Sequence, residues 1–134
     1  AALGAEMIVA VLEEVAAGRG GAIPQPAEGV AFAQKIDKRQ TVLDWSRSAA
    51  ELERAVRAFN PASTLLEGEP IKVWRASVVP GTGTAGSVLD AARLIVACGA
   101  GSLRIDELQR AGGKRLQAAE FLRGRPLRPG FRFG

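Results

Sequence analysis

Between residues 63 and 108 the chain is cut into short apolar runs: Ser63 to Glu67, Ile71 to Val79, Ser87 to Asp90, Leu94 to Cys98 and Leu103 to Leu108. Gly68, Pro80-Gly81, Gly86 and Gly99 to Gly101 separate them. Runs this short at roughly 8 to 12-residue spacing predict strands, and about five such strands in succession predict a small barrel. Ile71 and Val73 alternate with Lys72 and Trp74, the period of a strand with one wet face. Leu94-Ile95-Val96-Ala97-Cys98 is continuously apolar, which fits a strand covered on both faces. With 134 residues there is room for one compact domain with a real core plus an appendage.

The flanks read as helices. Ser48 and Glu51 have the spacing of a capping box, which starts a helix near residues 46 to 48; Pro61 cannot donate the next hydrogen bond and stops it at Asn60-Pro61. Ala49, Leu52, Val56 and Phe59 share its predicted buried face. Arg47, Arg54 and Arg57 lie opposite, with Glu53 four residues before Arg57. A last short helix is predicted over Ala118 to Arg123, closed by Gly124, and the tail from Arg125 to Gly134 holds too much Pro, Gly and Arg to be regular. At the other end, Leu3, Met7, Ile8, Val11, Leu12 and Val15 form one helical stripe with Gly18 as its stop. Gly18, Gly20, Gly21, Pro24, Pro26 and Gly29 then predict an extended, semi-rigid linker. The expected organisation is a terminal helix over 1–17, a linker over 18–40 and a domain over 41–134. The fold class is mainly β with flanking helices: a small OB-like β-barrel preceded by an amphipathic helix and an extended linker.

Charge is unevenly spread. Residues 1 to 45 carry 4 Lys+Arg against 6 Asp+Glu, and residues 46 to 134 carry 14 against 8. With a sequence pI of about 10.0, the basic part suits a polyanion such as nucleic acid, because clustered cations displace condensed counterions from phosphates. An Arg-rich solvated surface is the plainer alternative. No apolar run approaches the ~20 residues that span a bilayer, so no membrane partner is expected. The start, Ala1-Ala2-Leu3-Gly4-Ala5-Glu6, lacks Met and any basic run, so it does not read as a signal peptide and is expected to be the cut edge of a longer polypeptide. A single cysteine, Cys98, rules out an internal disulfide and fits a reducing cytoplasm.

The composition argues against catalysis by these residues. There is no histidine and no tyrosine, and Cys98 sits in an apolar run that would raise its pKa and blunt its thiolate. One Cys without His supplies no tetrahedral zinc set, so no metal site is expected. The pairs Asp106-Glu107 and Glu67/Glu69 read as solvated surface rather than acid/base machinery. Gly81, Gly83 and Gly86 form a loose glycine loop, but no Lys-Ser/Thr pair follows, so a tight turn explains them better than a phosphate cradle.

The basic residues remain. Lys35, Lys38 and Arg39 fall where the linker enters the domain. Residues 104 to 134 carry 8 Lys+Arg against 3 acids, with Lys114-Arg115 beside Gly112-Gly113, a basic turn that can approach a phosphate closely. The only aromatic side chains are Trp45, Trp74 and five Phe. Platforms for stacking unpaired bases are therefore few, which favours recognition of a folded RNA by shape and phosphates. Trp45, between Asp44 and Ser46, reads as a packing anchor where linker meets domain.

Lys35-Ile36-Asp37-Lys38-Arg39, Leu43-Asp44-Trp45-Ser46, Arg57-Ala58-Phe59-Asn60-Pro61, Ile71-Lys72-Val73-Trp74, Gly113-Lys114-Arg115-Leu116 with Phe121-Leu122-Arg123-Gly124, and Pro129-Gly130 together resemble the carboxy-terminal part of the methionyl-tRNA formyltransferase family. Leu3-Gly4-Ala5 and the following helix resemble the closing helix of that family's catalytic domain; Pro24-Gln25 and Ala33-Gln34-Lys35-Ile36 resemble its interdomain linker. The resemblance covers almost the whole chain. It implies an enzyme that formylates methionine on initiator tRNA from 10-formyltetrahydrofolate, with the catalytic residues and the cofactor in an amino-terminal half outside this chain. No cofactor is then expected here, and this segment alone should not transfer formyl groups. It also implies that Lys35, Lys38 and the basic barrel face, Lys72, Arg75, Lys114 and Arg115, meet the tRNA sugar-phosphate backbone, with Arg39 beside them.

Three departures stand out. Ala62-Ser63 follows Pro61 directly, where the family continues with an aromatic, a Pro and a Gly. The strand pair around Ala91-Ala92-Arg93 is short, so either the loops are shortened or residues are missing. Gln117 replaces the Ser favoured as a helix N-cap, at an expected cost of about 1 kcal/mol. The alternative reading is a sugar-nucleotide or other folate-dependent formyltransferase whose barrel has no RNA partner. Clustering of Lys72, Arg75, Lys114 and Arg115 on one face favours tRNA; dispersal favours the architectural role. A stand-alone nucleic-acid module is the third reading, and the orphaned apolar helix counts against it. That helix needs a partner, either the catalytic domain or a second copy of residues 3–17.

Overall fold

The computed structural model describes residues 2–32, 35–128 and 131–134. Ala33, Gln34, Pro129 and Gly130, which carry part of the resemblance, lie outside the described residues. The chain divides into two compact units, Ala1–Gln34 and Lys35–Gly134.

In the first unit, α1 spans Ala2–Ala16 and Gly18, at φ 70°, follows it. Its whole apolar stripe is exposed, and Val9 widens it. Residues 17 to 32 contain no helix or strand among those described.

The second unit opens with a 3-10 turn, Lys38–Thr41, fastened by a capping box in which Asp37 Oδ1 accepts from Arg39 N at 2.8 Å and Gln40 Oε1 from Asp37 N at 2.9 Å. α2 follows over Ala49–Phe59, started by the predicted Ser48/Glu51 box and carrying Ala49, Leu52 and Val56 into the core. The chain then turns through Asn60-Pro61 directly into β1 (Ala62–Leu66). β2 is Glu69–Val79, β3 Val88–Asp90, β4 Ile95–Ala97 and β5 Ser102–Arg110. A sixth strand, β6 (Arg115–Gln117), corrects the expectation of five, and leads without a break into α3, Ala118–Gly124. Arg115 is thereby placed in a strand rather than in the glycine-flanked turn. A three-residue strand next to two glycines leaves no periodic signal to find.

All pairings between the six strands are antiparallel, in the order β1-β2-β5-β4-β3, with β6 also on β5. β4 takes Ser102–Arg104 and β6 takes Glu107–Gln109 on the same edge of β5. The path leaves β1 and β3 as its ends, and residues 131–134 lie between them. Phe133 bridges Leu66, Arg132 bridges Ser87, Val88 N donates to Phe131 O at 2.8 Å and Gly134 N to Leu65 O at 2.9 Å. The tail read as irregular thus links the two ends of the sheet into a barrel-like whole. Trp45 is buried against it, its ring centroid 5.5 Å from that of Phe133 and its Nε1 donating to Thr64 Oγ1 at 2.9 Å. Gly86 belongs to this seam: a Cβ there would overlap the Phe133 carbonyl, and its φ is 83°. In the same loop a Cβ at Gly83 would crowd Leu89 at 2.7 Å, so these glycines serve close packing, as the tight-turn reading expects.

Leu52, Val56, Leu66, Ile71, Val73, Val96, Leu103, Ile105, Leu108, Phe121 and Phe133 form the core. Residues 94 to 98 are all buried, as their unbroken apolar run predicts. The short connection near Ala92 is a closed turn: Asp90 Oδ1 accepts from Ala92 N at 2.9 Å and Arg93 N at 3.0 Å, with Leu94 at φ 51°. α3 has no side-chain bond at its Gln117 cap.

Candidate nucleic-acid interface

One cross-strand row organises the outer surface. Val42 bridges Ser63, Ser63 pairs with Lys72, Lys72 with Gln109, and Gln109 with Arg115. Neighbours in such a row point to the same side of the sheet, about 4.7–4.9 Å apart per strand. Ile71 and Val73 are buried, so Lys72 points outward. Thr41 Oγ1 meets Ser63 Oγ at 3.0 Å, which ties the 3-10 turn bearing Lys38 and Arg39 to the β1 end of this row.

A register break in both β2 and β5 enlarges the outer set. Val73 pairs with Leu108, Arg75 with Glu107 and Ala76 with Ile105, so Trp74 and Asp106 are each skipped. An extra residue in a strand re-aims the side chains beside it. Trp74 and Arg75 both turn outward: Trp74 Nε1 donates to Gln109 Oε1 at 3.0 Å, and Arg75 Nη2 lies 3.7 Å from Glu107 and 3.4 Å from Gln117 Oε1. Arg115 lies over Trp74, its guanidinium carbon 4.8 Å from the ring centroid, while its Nε donates to Glu107 Oε2 at 2.7 Å and its Nη2 reaches the same oxygen. Gln117 Nε2 donates to Glu107 Oε1 at 2.6 Å. The Arg115 bonds, followed by that of Gln117, hold the Glu107 carboxyl below the usual carboxylate range.

Lys72, Arg75 and Arg115 therefore share one outer face. Lys114 sits in the β5–β6 turn at its edge, where Gln109 Nε2 donates to Gly113 O at 2.9 Å. Lys38 and Arg39 sit on the 3-10 turn; Lys35 precedes it, exposed. Arg39 lies 3.7 Å from Asp37. Lys35, Lys38, Lys72 and Lys114 have no carboxylate partner within 4.0 Å among the described residues, whereas Arg75 and Arg115 share Glu107. Glu107 is the member that sequence reasoning missed: as half of an Asp-Glu pair it reads as solvated surface, yet it is buried. The only available signal was a buried-side neighbour, Leu108, next to it in a strand whose alternation fails there. The same applies to Gln109 and Gln117, polar residues with no motif.

On the same outer side, where β4 and β6 diverge along β5, there is a pocket of about 290 Å³ lined by Arg75, Arg93, Arg104, Asp106 and Gln117 with Ala92, Ala118 and Ala119. Arg93 Nε donates to Asp90 Oδ2 at 2.6 Å; Arg104 Nε donates to Asp106 Oδ1 at 2.7 Å, and Asp106 Oδ2 also accepts from Ser77 Oγ at 2.6 Å. No group of three His, Cys, Asp or Glu side chains that could hold a metal occurs among the described residues. The Cys98 thiol is pushed up to about 11 by burial, which makes it a poor nucleophile.

The family model for the formyl transferase, C-terminal domain, matches residues 35–126. The chain belongs to the formyl transferase C-terminal domain family. Among relatives of this C-terminal domain, the methionyl-tRNA formyltransferase of Dechloromonas aromatica is 49% identical over 138 residues, covering 99% of this chain and 44% of the relative. That of Ralstonia nicotianae is 51% identical over 142 residues, covering 99% and 43%. The chain spans less than half the length of these relatives. The crystal structure of HypX from Aquifex aeolicus in complex with tetrahydrofolic acid carries the same fold, with a TM-score of 0.65, 19% identity, and coverage of 87% of this chain and 22% of that one. No helix among the described residues is long and apolar enough to cross a membrane.

Proposed function

We propose that this formyl transferase C-terminal domain docks tRNA for a cytoplasmic methionyl-tRNA formyltransferase. Formyl transfer to initiator methionyl-tRNA from 10-formyltetrahydrofolate would be carried out by parts of the enzyme outside this chain, in translation initiation. The observation that supports the reading is the outward row from the Lys38–Arg39 turn through Lys72 to Arg115, with Arg75 beside it and Lys114 at its rim. Of the basic residues that the sequence singles out, Lys72, Arg75 and Arg115 share one face instead of being dispersed. Guanidinium and ammonium groups on a rigid sheet hold a sugar-phosphate backbone in register without reading bases, so the aminoacyl end is presented to the catalytic part in a fixed orientation. The names of the relatives favour this reading over a sugar-nucleotide enzyme with a purely architectural barrel. The apolar side of α1 is read as a contact surface for the rest of that polypeptide, and in this chain alone as a site of self-association.

The test is a titration of the protein with initiator and elongator tRNA over a range of salt concentrations. Four cations without carboxylate partners imply a log-log slope on the order of −3. A slope near zero rejects phosphate docking. A steep slope equal for both tRNAs supports docking and assigns discrimination between them to other parts of the enzyme.

A further inference from the structure

We infer that the pocket between β4 and β6 is a phosphate subsite formed by Arg93 and Arg104, taking a backbone phosphate of the same RNA beyond those held by the Lys72–Arg115 row. The inference rests on the reading of that outer face as a nucleic-acid interface. Neither arginine is among the candidate RNA contacts read from the sequence.

Three observations carry it. The pocket is continuous with the row, because Arg75 and Gln117 line it and also bond to each other or to Glu107 on the row side. Its two further arginines are held in a particular way: Asp90 takes the Nε of Arg93 and Asp106 takes the Nε of Arg104. Among the described residues the terminal Nη groups of both have no protein acceptor, and a guanidinium has five N–H donors in a planar fork. The carboxylates fix the stems and leave the forks for a second, bidentate acceptor, the geometry that phosphate oxygens satisfy. Third, the sheet itself makes the hollow. β4 ends its pairing at Arg104 and β6 begins at Glu107, so Asp106 faces no strand on that edge, and the gap opens there with Ala92, Ala118 and Ala119 in its lining. The lining carries three guanidinium groups, Arg75, Arg93 and Arg104, whose carboxylate partners, Glu107, Asp90 and Asp106, engage each from one side.

The experiment compares salt-dependent tRNA affinity of the protein with three double variants. Arg93→Ala with Arg104→Ala is expected to flatten the log-log slope by about 0.7–0.9, one phosphate, and to weaken binding several-fold at low salt. Arg93→Lys with Arg104→Lys keeps charge but loses the fork; it is expected to keep the slope and still weaken binding. Arg54→Ala with Arg57→Ala, which removes the same charge from α2, should leave the slope unchanged. An alanine variant that binds like the unaltered protein, while Lys72→Ala flattens the slope, overturns the subsite and leaves the docking face standing. Loss of slope in the α2 variant equal to that in the pocket variant overturns it too, since the effect is then only net charge. If the unaltered protein shows no salt-dependent binding, subsite and docking face fall together. Thermal unfolding of each variant checks that the fold is retained; the lysine pair serves if the alanine pair does not fold.

Discussion

Arg115 lies over the ring of Trp74 at 4.8 Å while its Nε donates to Glu107 at 2.7 Å. One guanidinium is thus fixed from below by an aromatic face and from the side by a carboxylate. A cation held on both sides loses little conformational freedom when it meets a phosphate, so Arg115→Ala should weaken tRNA binding and flatten the salt slope by less than the ~0.7–0.9 of an unpaired cation, because Glu107 already offsets part of its charge. Arg115→Lys should keep the slope yet lose part of the affinity, because an ammonium neither stacks as well nor forks. Trp74 fluorescence, recorded in a Trp45→Phe background, should change on tRNA addition in the unaltered surface and much less in Arg115→Ala.

Glu107 tempers the same surface. Replacing it as Glu107→Gln frees Arg75 and Arg115 from their shared countercharge, so tRNA should associate more tightly at low salt with a steeper slope. The carboxyl is held below its ordinary value of 4.5 by Arg115 and Gln117. Its contribution to stability is therefore complete above that ordinary value and is lost as pH falls through the lower folded one. Urea unfolding at pH 6 and pH 3 should show a larger acid loss in the unaltered protein than in Glu107→Gln.

Ser48 and Glu51 should behave as a unit at the start of α2. Ser48 Oγ donates to Glu51 Oε2 at 2.7 Å, and Arg47 Nη2 donates to Glu51 Oε1 at 2.7 Å. The Ser48 hydroxyl and then Arg47 hold the Glu51 carboxyl at about 2. Folded below unfolded, this group stabilises fully above about 4.5 and loses its effect as pH falls toward about 2. Ser48→Ala should cost about 1 kcal/mol at neutral pH, and calorimetry from pH 6 to pH 2 should show a shallower acid decline in that variant.

Trp45→Ala should be among the most damaging changes, about 3–5 kcal/mol by loss of a buried aromatic. Trp45→Phe removes chiefly the bond to Thr64 and should cost about 1 kcal/mol or somewhat more. Phe133→Ala should match the larger loss, and because both rings fill one seam the double change should cost less than the two single losses added. Denaturant unfolding of the four proteins measures this.

The parts legible in the sequence were those with local causes. The Ser48–Glu51 box, the stop at Pro61, the alternation of Ile71 and Val73 with Lys72, and the buried run 94–98 follow from near neighbours in the chain. What escaped reading is non-local. The register break at Trp74 and Asp106 depends on how β2 and β5 meet, and it is this break that turns Arg75 toward Glu107. The pairing of Phe133 with Leu66 depends on two strand ends far apart in sequence. Glu107 looked like surface because its burial is set by Arg115, Gln117 and the strands around them, none of which is adjacent to it. The grouping of Lys72, Arg75 and Arg115 required the order β2-β5-β6, which no pattern of residues specifies; the resemblance supplied the residues and the sheet supplied their common face.

Residues 131–134 join the two ends of the sheet, and this has a kinetic corollary. The contacts of Phe133 with Leu66 and Trp45 link positions widely separated along the chain, so the loop entropy of bringing them together must be overcome before they stabilise anything. That junction should form late, after the β2–β5 pair has assembled. Weakening it should then hasten opening far more than it delays folding, and the domain's resistance to transient opening would reside in its final few side chains.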